Sequence, residues 1–506
     1  MIEKIYGPPG TGKTTTLMNR LKELTKDMDP SLVFAASLTR TAAAELASRV
    51  VDIPQQNCGT LHALAWRTIK AHRGKSPRLV YGALDRFSKD SGFHVPNRQR
   101  SVVSAAEYTA AMEHDPLNEY EVLRSRMTPR DQWPWRIEIF ASKFEPWKQA
   151  NGFMDFTDLI EEARYLDPGG VALLYDEAQD GSALEFDLLW QWHDKFLDRL
   201  IIAGDDDQAL YRFRGGDAGN LINFPADKET VLNFSYRCPN NLVWESQHLT
   251  SIILERAPKV YVGHGRHRAQ IVDLNDTLRT PDPIVRLARH HAKDGRVMIL
   301  ASCGYMLADV IKCLLKEGVP FHNRFRPKER EWNPLNYHTR KTSALDAAKA
   351  WLLPVLNGYY IEDSLDDLAV LYRWQPSLFR DSQDPAIGGK LSIGSMDSWN
   401  VSPLRLDALR LAAQTQTDIR QLDYCRAVVA NYGVEALWQD PAITVGTIHS
   451  VKGGEAETVI VAPDRPPAAD TEWRTSWFGK DDAARLMYVA YTRAINNLFL
   501  LKGRFR

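Results

Sequence analysis

The stretch YGPPGTGKTTT, Tyr6 to Thr16, sets glycines at 7, 10 and 12 ahead of Lys13 and Thr14. It satisfies the pattern G-x-x-x-x-G-K-[ST] without a mismatch. Backbone N–H groups converge on phosphate oxygens only where no Cβ obstructs them, and glycines allow that. Gly7, Pro8, Pro9, Gly10, Thr11, Gly12, Lys13, Thr14 and Thr15 are therefore the candidate cradle for a nucleoside triphosphate. Lys13 is expected to reach the outer phosphates, and the Thr14 hydroxyl to ligate Mg2+. A short strand before the loop and a helix from about Thr14 to Leu24 would aim a helix N-terminus at the same anion. The plain alternative is a glycine-rich turn that binds nothing.

A bound Mg2+ needs a carboxylate, and VALLYDEAQD supplies one at the end of an apolar run. In parallel α/β sheets, functional groups project from the carboxyl ends of strands. Asp176 is then the metal partner, and Glu177 the candidate base for an attacking water. The stretch RLIIAGDDDQALYRFRGG repeats the arrangement: Leu200 to Ala203 reads as a strand ending in Gly204-Asp205-Asp206-Asp207-Gln208. A glutamine there can sense the γ-phosphate. Tyr211 and Phe213 follow three and five residues later, so one loop could feel the phosphate and touch a base.

These groups need elements to hold them. The chain has 506 residues, 44% hydrophobic and 25% charged, which is room for roughly three or four domains with buried cores. Net charge is −1, so any nucleic-acid contact must rest on local basic grooves. The five cysteines are scattered, with no pair at metal-ligand spacing and no disulfide framework. The N-terminus shows no signal core and no apolar run is long enough to span a bilayer, so the expectation is a cytoplasmic protein, bacterial or viral. Short apolar runs at Val297 to Ala301, Ile443 to Gly446, Thr458 to Ala462 and Leu498 to Leu501 alternate with helical stretches, a βαβ rhythm. The last run is expected to close the fold without a further domain.

With these stretches in hand, the sequence resembles a superfamily 1 helicase of the UvrD/Rep/PcrA type. DEAQD and GDDDQALYRFRGG carry the resemblance, and the latter matches the 3′-to-5′ branch. Further motifs appear in the family's order. SLTRTAAAEL (Ser37 to Leu46) resembles a strand-backbone contact, which implies DNA-facing roles for Thr39 and Arg40. GTLHALAWR resembles the T-x-H contact motif, at Thr60 and His62, and DFTDLI resembles the family's DFxDL. LNFSYRCP places Tyr236 on the adenine-stacking tyrosine and Arg237 on the γ-phosphate arginine. TVGTIHSVKGGEAETVIV matches T-x-H-x-x-K-G-x-E at Thr447, His449, Lys452, Gly453 and Glu455. RLMYVAYTRA matches the last motif, with Arg493 as the arginine finger. The resemblance also puts Phe213 at a base-stacking position, flanked by Tyr211 and Arg214.

Three departures stand out. Six residues precede Gly7, leaving no place for the upstream glutamine that reads adenine in this family. Leu61 stands where the family commonly has a base-stacking aromatic, a change worth up to ~1–3 kcal/mol of strand grip. Ala456 stands where an aromatic usually follows the glutamate.

The resemblance implies an α/β fold of two RecA-like P-loop NTPase domains with parallel sheets, each with a mostly helical insertion. The expected boundaries are 1–70 and 151–222 for the first domain, 71–150 for its insertion, 223–323 and 429–506 for the second, and 324–428 for the second insertion. Lys13, Glu177, Gln208, Arg237 and Arg493 are the expected catalytic set, with Tyr236 and Glu455 completing the nucleotide contacts. The implied function is an ATP- and Mg2+-dependent helicase. It would move 3′-to-5′ on single-stranded DNA and open duplexes, with a monomer as motor unit. A translocase that strips proteins without robust unwinding, and a P-loop phosphotransferase acting on a small molecule, stay open as alternatives.

Within the first insertion, RSRMTPRDQWPWRIEIFASKFEPWKQ interleaves cations with Trp133, Trp135, Phe140, Phe144 and Trp147. Most of these tryptophans read as the insertion's own small core, and Arg124, Arg126 and Arg130 as DNA-facing candidates. The second insertion opens with RFRPKEREWNPLNYHTRK, which fits either a cover over the duplex or a solvated linker. VGHGRHR, Val262 to Arg268, reads as a polar hairpin and not a metal site.

Overall fold

The computed structural model describes residues 1–38, 53–93, 115–323, 346–350 and 415–503, with isolated positions between them. Thr39, Arg40 and most of the second insertion lie outside the described residues. The architecture is α/β, with two RecA-like parallel sheets. Contacts gather the chain into two compact units. One comprises Met1–Gln270, Lys452–Glu455 and Arg465–Asn496; the other comprises Ile271–Val451, Ala456–Asp464 and Asn497–Arg506.

The sheet of the first unit is built from β1 (Ile2–Tyr6), β2 (Val33–Ser37), β3 (Cys58–Gly59), β6 (Ala172–Asp176), β7 (Arg199–Gly204) and β8 (Lys228–Val231). β4 (Arg78–Leu79) and β5 (Phe153–Met154) form a separate small pair. The six strands run in the order β3-β2-β6-β7-β1-β8, and every neighbouring pair is parallel. The last strand lies past residue 222, where the sequence reading ends the first domain. A parallel sheet is covered on both faces, so its strands read as apolar runs and not as alternation. That is why VALLYD and LIIAG have no polar side.

Two cores result. On one face Ile5, Val33, Ala35, Leu174 and Ile201 meet Leu17 and Leu21 of α1 (Lys13–Asp27). On the other, Tyr6, Ala36, Leu173, Tyr175 and Ile202 meet α2 (Leu61–Arg73), whose Leu61, Leu64 and Ile69 are buried. Each fully buried aliphatic side chain contributes about 1.5–3 kcal/mol. Leu61 is 1% exposed, in keeping with its departure from the family's base-stacking aromatic. In this chain that position belongs to the core.

The first insertion carries α3 (Leu84–Ser91), α4 (Pro116–Ser125) and α5 (Trp135–Asn151). Phe87, Tyr120, Phe140 and Phe144 form its core, with Trp133 and Trp147 packed against the edge. Trp135 is exposed. The expected internal core is therefore present, but one DNA-facing candidate needs correction. Arg124 is half-buried and its guanidinium binds Asp155, Asp158 and Glu161, which engage its Nε, Nη1 and Nη2. The capping box of α6 (Phe156–Ala163) supplies the first two of those carboxylates. Arg130 pairs with Glu138 and Glu145, and Arg126 donates to the Arg212 carbonyl at 2.7 Å.

Two further strands, β9 (Phe234–Pro239) and β10 (Val262–His264), pair in parallel in the first unit. The VGHGRHR stretch thus opens on a strand and is not a hairpin. Gly263 faces the Cys238 carbonyl so closely that a Cβ would lie 2.4 Å from it.

The second unit holds a six-stranded sheet, order β11-β16-β15-β12-β14-β13, from β11 (Gln270–Asp273), β12 (Val297–Ala301), β13 (Phe321–Asn323), β14 (Ile443–Thr447), β15 (Ala456–Val461) and β16 (Ala494–Leu500). β12 pairs in parallel with β14 and β15, and β13 with β14. All four apolar runs singled out in the sequence are strands of this sheet. Thr447 ends β14, and His449 follows in the next turn; both are buried. Ala456 opens β15 and is also buried.

Candidate nucleotide site

Parallel strands in register end together, so β1, β6 and β7 deliver their following residues to one edge. The loop after β1 is held by its own backbone and by β9. Thr11 Oγ1 donates to the Pro8 carbonyl at 2.7 Å, and Ser235 Oγ to the Pro9 carbonyl at 2.7 Å. The Tyr236 N–H donates to the Gly10 carbonyl at 2.8 Å. Gly10 has φ +72°, and a Cβ there would lie 2.4 Å from Arg237 Cβ. Gly12, at φ +81°, caps α1, so Lys13 and Thr14 sit in the first helical turn. The observed helix, Lys13–Asp27, covers the expected one.

Asp176 closes β6, and Glu177 turns out of the strand at φ +59°. A non-glycine residue in that region costs of order 1–3 kcal/mol and persists where its surroundings hold it. Here the carboxylate is held from three sides. Lys13 pairs with it, Lys452 Nζ lies 3.2 Å from Oε2, and Gln179 Nε2 donates to Oε2 at 2.8 Å. Lys13 Nζ also lies 3.5 Å from Asp176 Oδ1. Lys452 in turn pairs with Asp180, which accepts the Leu210 N–H at 2.8 Å.

The charges follow from this crowding. Burial alone would raise the Glu177 carboxyl, but Lys13 and then Lys452 outweigh it and hold it well below the usual carboxylate range. Burial opposes the charge on Lys13, yet Glu177 and Asp176 prevail and raise its pKa. For Asp176 and Asp180 burial wins, and both carboxyls are pushed up against the pull of the neighbouring lysines.

Gln208 sits in the turn after β7. Its Nε2 donates to Asp205 Oδ2 at 2.8 Å, and its Oε1 accepts from Arg493 Nη2 at 3.0 Å. Arg493 is 2% exposed and also donates to the carbonyls of Val489 and Gly454. Burial, followed by the nearby Arg237 charge, lowers its guanidinium to about 10. Arg237 pairs with Glu455, and Tyr236 is 62% exposed beside Phe234. The expected nucleotide residues before and after position 220 are thus gathered in one compact unit.

Sequence reasoning missed what anchors this turn. Asp205, Asp206 and Asp207 are all buried, and Lys259 Nζ meets all three, at 3.0 Å from Asp205 and from Asp207. Arg256 Nε binds Asp207 at 2.7 Å, and Arg485 Nε donates to the Asp206 carbonyl at 3.0 Å. Three consecutive acids after an apolar strand do signal a demand for buried cations. Nothing local to GDDDQ tells which of 63 basic residues answers it.

The DNA candidates fall as follows. Thr60 caps α2, its hydroxyl accepting the Ala63 N–H at 3.2 Å. His62 is 3.7 Å from Glu185 and edge-on to Phe156 at 5.6 Å. Phe156 is exposed and stacks on Tyr81 at 4.7 Å, an aromatic surface the sequence reading gave no role. Tyr211 and Phe213 are 5.8 Å apart, and the Arg214 guanidinium lies over both rings. Thr447 and His449 belong to the second unit.

Comparison with known proteins gives the same direction. Residues 3–229 match the UvrD/REP helicase N-terminal domain. That stretch is UvrD/Rep-like. Among curated relatives, the chain is 24% identical over 288 residues to the ATP-dependent DNA helicase PcrA of Staphylococcus epidermidis, covering 50% of the chain and 38% of that protein. It is 23% identical over 279 residues to a probable DNA helicase II homolog of Mycoplasma pneumoniae, covering 47% of the chain and 38% of the relative. Against the DNA helicase II of Rickettsia typhi it is 23% identical over 354 residues, covering 62% and 53%. The match spans from about two-fifths to half of these relatives' length. No described helix is long and apolar enough to cross a membrane.

Proposed function

We propose that the chain is an ATP-driven DNA helicase that moves 3′-to-5′ on single-stranded DNA and separates duplexes. The polarity rests on resemblance alone, and one contact carries the ATP-driven part of the reading: the Arg493 guanidinium donates to Gln208, the residue expected to sense the γ-phosphate. A phosphotransferase acting on a small molecule has no use for a second RecA-like half, whereas hydrolysis gains ~10³–10⁵ from a positioned arginine.

The substrate's phosphates lie in the loop Gly7 to Thr14, with Lys13 at the outer phosphates and Tyr236 against the base. Thr14 and Asp176 would hold Mg2+; both offer oxygen donors, which suit a hard cation. When bound, that ion neutralises charge on the phosphate oxygens. Lys13 then exchanges its carboxylate partners for phosphate. Glu177, released from that pair, orients and deprotonates the attacking water. Arg237 and Arg493 stabilise charge on the γ-phosphoryl oxygens, and Glu455 steadies Arg237.

The RecA-like domains are proposed to follow the boundaries 1–70 with 151–222 and 223–323 with 429–506. Closing around the nucleotide couples hydrolysis to movement of a strand, an equilibrium biased by differential binding. Thr39, Arg40, Thr60, His62, Tyr211, Phe213, Arg214, Thr447 and His449 are proposed to touch that strand. The partner is DNA, single-stranded and duplex, and the motor unit is a monomer. The test is unwinding of two duplexes, one with a 3′ overhang and one with a 5′ overhang. Opening of the first alone is expected. Opening of the second alone overturns the polarity, and opening of neither, with translocation intact, favours a protein-stripping translocase.

A further inference from the structure

Ser37 ends β2, and its Cα is paired in register with that of Asp176 at the end of β6. Neighbouring strands lie about 4.8 Å apart, and residues in register on parallel strands present their side chains to the same face. The pattern along the two strands identifies the face. Val33 and Ala35 of β2, with Ala172 and Leu174 of β6, pack with Leu17 and Leu21 of α1. Ser37 and Asp176 continue those two alternating series by one step. Ser37 therefore lies on the face that α1 covers, the helix whose first turn holds Lys13 and Thr14.

The Ser37 hydroxyl is buried, the residue being 1% exposed, and Oγ has no hydrogen-bond partner among the described residues. Buried hydroxyls are seldom left so in native proteins, and an orphan calls for an explanation such as a bound water or ion. Tyr175 carries a second orphan hydroxyl near this strand end, but it belongs to the opposite core, with Ala36 and Leu173. Of the two, only Ser37 shares a face with Asp176.

Mg2+ keeps several of its waters when carboxylates and phosphates bind it. Those waters are strong donors and need acceptors outside the first ring of ligands. We infer that Ser37 is such an acceptor: its hydroxyl receives a hydrogen bond from a water on the divalent cation held by Thr14 and Asp176. The inference rests on the nucleotide reading above. It adds a residue that positions the ion without touching it.

The test uses Mn2+ titrated into the ADP-saturated full chain and followed by electron paramagnetic resonance, with ADP affinity measured separately in chelator. Wild type, Ser37→Ala and Ser37→Thr are compared. Loss of an outer-shell partner typically weakens metal affinity roughly 10-fold or more. Ser37→Ala is expected to show that loss for Mn2+, to keep metal-free ADP affinity, and to melt no lower than wild type, since the hydroxyl has no hydrogen-bond partner among the described residues to lose. Ser37→Thr, which keeps the hydroxyl, is expected to bind Mn2+ as wild type does. Equal Mn2+ affinity in wild type and Ser37→Ala overturns the inference. So does a loss that metal-free ADP binding or the melting temperature shares, because that marks a structural role. Wild type that binds no Mn2+ in the presence of ADP overturns the nucleotide reading itself, and this inference with it.

Discussion

Arg493 Nη2 and Gln208 Oε1 stand 3.0 Å apart, although 285 positions separate the two residues in the chain. Gln208 is itself fixed by Asp205, so the arginine is aimed by a turn that a strand end positions. Replacing Arg493 by alanine removes the cation while leaving the phosphate loop intact. Turnover is expected to fall ~10³-fold or more, with nucleotide affinity changed far less. Single-turnover hydrolysis beside binding of a fluorescent nucleotide separates the two.

Glu177 and Lys13 neutralise one another, and Lys452 adds a second cation to the same carboxylate. Glu177→Gln is expected to abolish hydrolysis yet still bind ATP, because the phosphate-facing groups remain. Lys13→Ala is expected to lose hydrolysis and to weaken binding. Turnover near wild type in Glu177→Gln would remove this residue as the base.

Lys259 is shared among three buried aspartates at once. Lys259→Met keeps most of the volume but strands those carboxylates in a poorly solvated site. Breaking a buried ion pair from one side costs about 3–5 kcal/mol. Chemical denaturation should show a loss of that order, and a loss under 1 kcal/mol would mean that Arg256 and water suffice.

Asp482 gives a pH-dependent case. Burial, only partly offset by Arg212 and Arg485, raises its carboxyl to about 6. The native state therefore holds a proton that the unfolded chain, titrating near 3.9, has released. Stability from this group falls as pH rises from about 4 to about 6 and is level above that. Asp482→Asn should raise the melting temperature at pH 7 to 8 relative to wild type and leave it unchanged near pH 4. An effect of equal size at both values would rule out ionisation as the cause.

Much of the site was legible in the sequence because its signals are local. The phosphate loop needs glycines within a few positions of one lysine, and apolar runs ending in DE or GDDDQ mark strand ends. Where the reading failed, the deciding partner was remote in the chain. Arg124, among cations and aromatics, looked free until α6 brought three acids to it. Lys259 lies 53 positions past the Asp206 carboxylate it serves, in a stretch with no motif. The left-handed backbone at Glu177 also left no mark, since φ depends on what holds the side chain.

The central claim is that a triphosphate held by Lys13, Asp176, Gln208 and Arg493 drives movement along DNA. The most direct measurement is the ATP turnover of the full chain with and without single-stranded DNA, in wild type and in Phe213→Ala. The account predicts strong stimulation by DNA in wild type and its loss in the variant, whose missing stack is worth ~1–3 kcal/mol per base. Turnover in wild type that is indifferent to DNA would contradict it.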